Sequence, residues 1–126
     1  MIIGTGIDIV SIARIKKAEE RWSRRFIERI LTEDEVTYYL NHKLPHTHLA
    51  GRFAAKEATV KAFGTGFSNG ITFKDIEVVK RASGKPEIAL HGKLRTLSET
   101  MSVRNIHLSI SHDGGFAIAQ VILEKQ

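Results

Sequence analysis

The chain has no cysteine, which removes disulfide frameworks, thiolate metal sites and thiol nucleophiles from consideration. It has no apolar run near the ~20 residues that a membrane-spanning helix needs. Its amino end, Met1-Ile2-Ile3-Gly4-Thr5-Gly6, lacks the basic region and the long apolar stretch of a secretory signal. A soluble protein of the reducing cytoplasm is the expectation. Two common enzyme motifs are missing as well. No Gly-x-x-x-x-Gly-Lys-Ser/Thr loop marks a P-loop, and no Gly-x-Ser-x-Gly elbow marks a serine hydrolase. Repeats, low-complexity tracts and linkers are absent, so the 126 residues read as one domain spanning 1–126.

What the chain has in excess is positive charge: 19 lysines and arginines against 14 acids, a formal net charge of +5. That balance points to an anionic partner, whether nucleic acid, a phosphate-rich small molecule or an acidic protein. Residues 2–10 are largely apolar and β-branched and predict a buried strand. Ser11 is placed to cap a helix over 12–31, interrupted near Ser23. Thr32 and Glu35 form a capping box opening a short helix that ends near His42, ahead of Pro45. A long helix over 47–63 is stopped by Gly64 and Gly66. Strands over 71–81 and 87–91 are joined by the turn Ser83-Gly84-Lys85-Pro86. A helix over 93–102 precedes a hairpin, 105–111 and 116–123, around Asp113-Gly114-Gly115. The class is α+β, an antiparallel sheet wrapped on a long central helix.

That central helix carries a carboxylate on its apolar side. At ~100° per residue, Ala50, Phe53, Glu57 and Val60 share one stripe. An ionised carboxylate taken from water there loses hydration that a lysine, an arginine or a metal must compensate. Lys61, one turn on, offers an ordinary helix pair. Asp8, between Ile7 and Ile9, is a second carboxylate in an apolar setting, although as a period-2 position it is also placed to face solvent. Two such carboxylates, with phosphate and water completing an octahedron, suit Mg²⁺, which keeps several waters and rarely takes an all-protein cage. Arg52, Lys56 and Lys61 add positive charge to the same helix. The glycines at 64, 66 and 70 let backbone approach an anion, or simply cap the helix.

His42, His46 and His48 are a rival metal patch. His46 and His48, however, are spaced i,i+2 and do not face each other on a helix, so surface histidines near a loop are expected. Ser111, His112 and Asp113 are consecutive, but adjacent strand residues point to opposite faces and cannot form a triad. His112, at a strand end, reads better as a donor to phosphate. Arg14, Lys17, Arg21, Arg24 and Arg25 line one side of the first helix, where Ile15, Trp22 and Phe26 are expected to anchor it. Such a stripe fits an acidic helical protein or a duplex backbone.

Five segments together resemble holo-acyl carrier protein synthases, the short bacterial type of 4′-phosphopantetheinyl transferase. They are Gly6-Ile7-Asp8-Ile9-Val10 with Arg14, the run from Arg25 to Thr32, and the block from Ala50 to Gly66. The others are Ser83 to Pro86, and Ile110-Ser111-His112 with Ala117 and Ala119. The resemblance implies transfer of 4′-phosphopantetheine from coenzyme A to a serine of apo-acyl carrier protein, releasing adenosine 3′,5′-bisphosphate, for fatty acid biosynthesis. It implies Mg²⁺ on Asp8 and Glu57, with Lys61 neutralising the transferring phosphoryl group. Glu57 would take the serine proton directly or through a metal-bound water. Coenzyme A would be contacted by Arg52, Lys61, Gly64, Ser83, Gly84, Lys85, Pro86, Ser111 and His112. Arg14, Arg21, Arg25 and Phe26 would grip the carrier protein. A homotrimer with sites between subunits is implied, with no nucleic acid or membrane as partner. The alternative is a small basic nucleic-acid-binding module on the Arg14–Arg25 stripe, which leaves Asp8 and Glu57 without a role because carboxylates repel phosphates.

Overall fold

The computed structural model describes residues 1–43 and 45–126. In order they form β1 (Ile2–Ser11), α1 (Ile12–Trp22), α2 (Arg24–Ile30), α3 (Glu33–His42) and α4 (His46–Phe63). A 3-10 turn at Phe73–Asp75 leads into β2 (Ile76–Lys80) and β3 (Pro86–Leu90), then α5 (Gly92–Thr100), β4 (Asn105–Asp113) and β5 (Phe116–Glu124). One antiparallel sheet has the order β1-β5-β4, and β2 and β3 form a separate antiparallel pair.

α4 is the axis of the core. Leu49, Ala50, Ala54, Ala55, Ala58, Val60 and Ala62 are all buried, and burial around so much of its circumference marks an interior helix. Its small side chains let β1 come very close. A Cβ at Gly6 would lie 1.9 Å from the Ala58 carbonyl oxygen, and one at Gly4 2.2 Å from that of Ala62. Only glycine permits this packing. Gly64, at φ 78°, ends the helix in the left-handed conformation.

That close approach corrects the expectation of a buried first strand. Gly6, Asp8 and Val10 face α4, so Ile7 and Ile9 must turn outward, where they are 56% and 62% exposed. The first helix does break at Ser23, whose φ is 48°. Arg24 and Arg25 therefore belong to α2 and do not continue the α1 stripe. Ile15 is buried and Phe26 packs on the core, but Trp22 is exposed under the Arg21 guanidinium and anchors nothing. The strand expected from residue 71 begins only at Ile76. Asp75 accepts from Thr72 and from the Leu94 amide, and this holds the preceding residues in a turn.

The capping box is present, with Thr32 N–H donating to Glu35 at 2.8 Å and Glu35 N–H to the Thr32 hydroxyl at 3.3 Å. Glu35 does more than cap. Lys56 donates to it at 2.6 Å and the Val78 amide at 3.0 Å. The Lys56 ammonium, wholly buried, also reaches the carbonyls of Ile30 and Phe73. Lys56 thus ties four elements together and contributes no surface charge, contrary to its expected place among the basic residues of the helix.

Candidate active site

Asp8 is on the face of β1 that meets α4, and Glu57 and Lys61 stand one turn apart on that helix. The Lys61 ammonium donates to Asp8 at 2.9 Å and to the Ile7 carbonyl at 3.1 Å. It therefore serves the strand, and the i,i+4 pair with Glu57 is not what satisfies it. Burial first, and the Asp8 charge second, push the Glu57 carboxyl above its ordinary range, with Lys61 opposing. Two adjacent carboxylates share one ammonium, and the site carries uncompensated negative charge. A small divalent cation fits this donor set, because Mg²⁺ takes one or two carboxylates and keeps its waters. Among the described residues there is no cluster of three or more His, Asp or Glu to build a larger cage.

A second region has the opposite sign. A hollow of about 250 Å³ is lined by His48, Arg52, Lys80, Gly84, Pro86 and His112, among others. Burial lowers the affinity of Arg52 for its proton, while Glu35 and Tyr38 raise it. His48 is also pulled below its ordinary value, by burial and then by Arg52, Lys80 and His112. Crowded cations in a concave, partly dehydrated space make an anion site. Gly84, at φ 88°, turns the β2–β3 connection over it.

The predicted coenzyme A residues divide accordingly. Arg52, Gly84, Pro86 and His112 share the hollow. Ser83 and Lys85 flank Gly84 in the turn, where Ser83 accepts from the Lys85 amide at 3.4 Å. Ser111 pairs with Ile118 and His112 with Ala117, so the two point to opposite faces, as expected. Lys61 and Gly64 lie with the carboxylates and at the end of α4, away from the hollow. Within one chain the two regions stay apart. β1 and β4 are opposite edges of the sheet, separated by two strand spacings of about 4.8 Å each. Arg52 and Glu57, five residues apart, diverge by roughly 140° around α4.

Arg14 and Arg21 are exposed on α1, while Arg25 and Phe26 of α2 border a surface hollow of about 520 Å³ with Trp22 and Arg29. The three histidines have separate surroundings. His42 stacks on Tyr38, His48 lines the anion hollow, and His46, half-buried, bonds Glu19 at 2.7 Å. Sequence reasoning missed Lys80 and His48 as parts of the hollow. The signals were there: His48 is one turn before Arg52, and Lys80 lies at the strand end next to the 83–86 turn.

Residues 4–121 match the family model of the 4′-phosphopantetheinyl transferase superfamily. A holo-(acyl-carrier-protein) synthase of Maridesulfovibrio salexigens is 48% identical over 99% of this chain and 100% of that protein. The crystal structure of the Neisseria meningitidis holo-(acyl-carrier-protein) synthase superposes with a TM-score of 0.92 at 38% identity, covering 99% of this chain and 100% of that one. A Bacillus anthracis holo-(acyl-carrier-protein) synthase in complex with CoA (3′,5′-ADP) gives 0.82 at 42% identity, covering 100% and 99%.

Proposed function

The chain belongs to the 4′-phosphopantetheinyl transferase superfamily, among its holo-(acyl-carrier-protein) synthases, and from that premise we propose how its residues divide the work. The activity is phosphopantetheinyl transfer from coenzyme A to acyl carrier protein. A serine oxygen of the carrier attacks the phosphorus that bears the pantetheine. A phosphodiester P–O bond forms as the pyrophosphate P–O bond breaks, and adenosine 3′,5′-bisphosphate leaves with the bridging oxygen. Such a step depends on positioning and electrostatics more than on covalent catalysis.

Glu57 accepts the serine proton. Asp8 and Glu57 would hold Mg²⁺, which when bound would supply positive charge to the pyrophosphate. Lys61, half in solvent, meets charge developing on the transferring phosphoryl group. Arg52 and His112 take the nucleotide phosphates under Gly84 and Pro86, with Ser83, Lys85, Ser111 and Gly64 completing the coenzyme A contacts. The anion hollow of one protomer faces the carboxylates of the next in a homotrimer. Ile7, Ile9, Phe116 and Ile118 support this, because they lie on the outer face of the sheet, Ile9 directly opposite Ile118, and are all exposed. Arg14, Arg21, Arg25 and Phe26 receive the acidic carrier. The setting is fatty acid biosynthesis in the cytoplasm; no helix among the described residues is long and apolar enough to cross a membrane.

The observation that carries this reading is the pair of adjacent carboxylates, Asp8 and Glu57, with a single ammonium, that of Lys61, bonded to Asp8. The test is to incubate apo-carrier protein with coenzyme A and this protein, with Mg²⁺ and with EDTA, and to weigh the carrier. The added phosphopantetheine should appear only with the metal. Equal transfer in EDTA removes Mg²⁺ from the reading.

A further inference from the structure

Glu19 is an acid on a helix otherwise rich in arginine and lysine, and it is turned inward. Its Oε1 is 2.7 Å from Nε2 of His46, the first residue of α4, and its Oε2 accepts from the Tyr39 hydroxyl of α3. The Glu19 side chain is 21% exposed. Four residues from Ile15, it projects within about 40° of that buried side chain, whereas Arg14 and Arg21 lie roughly 140–160° away on the other flank. Ile15 is the one buried residue of α1. Beyond it the helix runs on to Trp22 and ends at the left-handed Ser23. No residue of α1 after Ile15 is buried, so the roll of the last two turns depends on what Glu19 holds.

We infer that Glu19, clasped by Tyr39 and His46, is a positioning residue for docking of the acidic carrier protein. The clasp fixes the angle at which α1 presents Arg21. It also fixes that surface relative to α4, the helix that carries Glu57 and Lys61. The inference rests on the reading of α1 as the carrier surface. It makes a prediction opposite in sign to charge alone. Removing an acid from a basic docking face strengthens attraction to an acidic partner by Coulomb's law. Loosening the clasp weakens docking.

The experiment measures steady-state kinetics of Glu19→Gln, Tyr39→Phe and Arg21→Ala, and of Glu19→Gln combined with Arg21→Ala, with each substrate varied in turn. Glu19→Gln should raise KM for the carrier roughly three- to ten-fold, leaving kcat and KM for coenzyme A unchanged. Tyr39→Phe, which keeps the ring packing, should move it in the same direction by less. In the Arg21→Ala background Glu19→Gln should have little further effect, because the clasp acts through that arginine. A carrier KM that is unchanged or lower in Glu19→Gln overturns the inference, as does a full multiplicative effect in the double variant. If Arg21→Ala itself leaves the carrier KM unchanged while Glu19→Gln raises it, the reading of Arg21 as a docking residue fails, and this inference with it. A lowered melting temperature with unmoved Michaelis constants makes Glu19 a structural residue only.

Discussion

Two lysines on α4, five residues apart, make the same bond to a carboxylate and end in opposite circumstances. Lys56 and Glu35 have side chains 0% and 3% exposed, at 2.6 Å. Lys61 and Asp8 are 51% and 15% exposed, at 2.9 Å. Every donor of the Lys56 ammonium is engaged, by Glu35 and by the carbonyls of Ile30 and Phe73. The Glu35 carboxylate is filled as well, by Thr32 and Val78. The inner pair is closed and can hold only the fold. The outer pair is left open: Lys61 faces solvent, and Glu57 stands beside Asp8 with its charge unmet. The difference separates a lysine that assembles a protein from one that is free to meet a substrate.

The comparison breaks most sharply at the carboxylates. Asp8→Ala and Glu57→Ala should each lower transfer by a factor on the order of 10³, with far-ultraviolet circular dichroism unchanged. Near wild-type rates at saturating Mg²⁺ in either variant remove the outer pair from the chemistry.

Lys56→Met should cost about 3–5 kcal/mol of stability in urea titrations, because it leaves the Glu35 charge buried without its partner. Lys61→Met should cost little, since half-exposed pairs contribute at most about 1 kcal/mol. Comparable losses in the two variants erase the contrast between closed and open pairs.

Lys61→Ala should lower kcat about 100-fold, and more than it raises the Michaelis constant for coenzyme A. Lys61→Arg should restore it only in part, since a planar fork does not replace a compact ammonium. Weakened binding with unchanged turnover would place Lys61 in nucleotide binding.

Smaller still is the effect expected on the α1 surface. Arg21→Glu should raise the carrier Michaelis constant roughly ten-fold without moving that for coenzyme A, and the wild-type constant should climb with salt. Unchanged constants would leave a solvated basic face with no partner.

The carboxylates of the outer site stood out in the sequence, but neither lysine pairing did: Lys61 reads locally as the i,i+4 partner of Glu57, whereas it bonds Asp8, 53 residues away. A carboxylate in an apolar stripe is a local anomaly, and Asp8 and Glu57 stand out in their own segments. Lys56 is anomalous only through Glu35, 21 residues away, and local periodicity does not carry that pairing. Caps and stops were readable for the same local reason: the Thr32 box, the break at Ser23 and the Gly64 end are set by neighbours in sequence. The exposure of Ile7 and Ile9 was missed because β-branched residues suit either face. The cue was Gly4 and Gly6, which share a face with Asp8 and mark the side that touches α4. His48 stands one turn before Arg52 on α4, a local cue, but Lys80 joins them only when the β2–β3 hairpin folds over that helix, a tertiary event.

The most direct test is the thermal stability of wild type and Glu57→Gln at pH 7, with and without Mg²⁺. Burial and Asp8 raise the Glu57 pKa in the folded state above its ordinary 4.5. Between the ordinary and the raised value the folded chain binds more protons than the unfolded one, so ionised Glu57 opposes folding as pH rises through that window. Without metal, Glu57→Gln should melt above wild type at pH 7, the gap should close as pH falls below about 4.5, and Mg²⁺ should raise the melting temperature of wild type more than that of the variant. Equal melting temperatures without metal, or the same Mg²⁺ increment in both proteins, would contradict this.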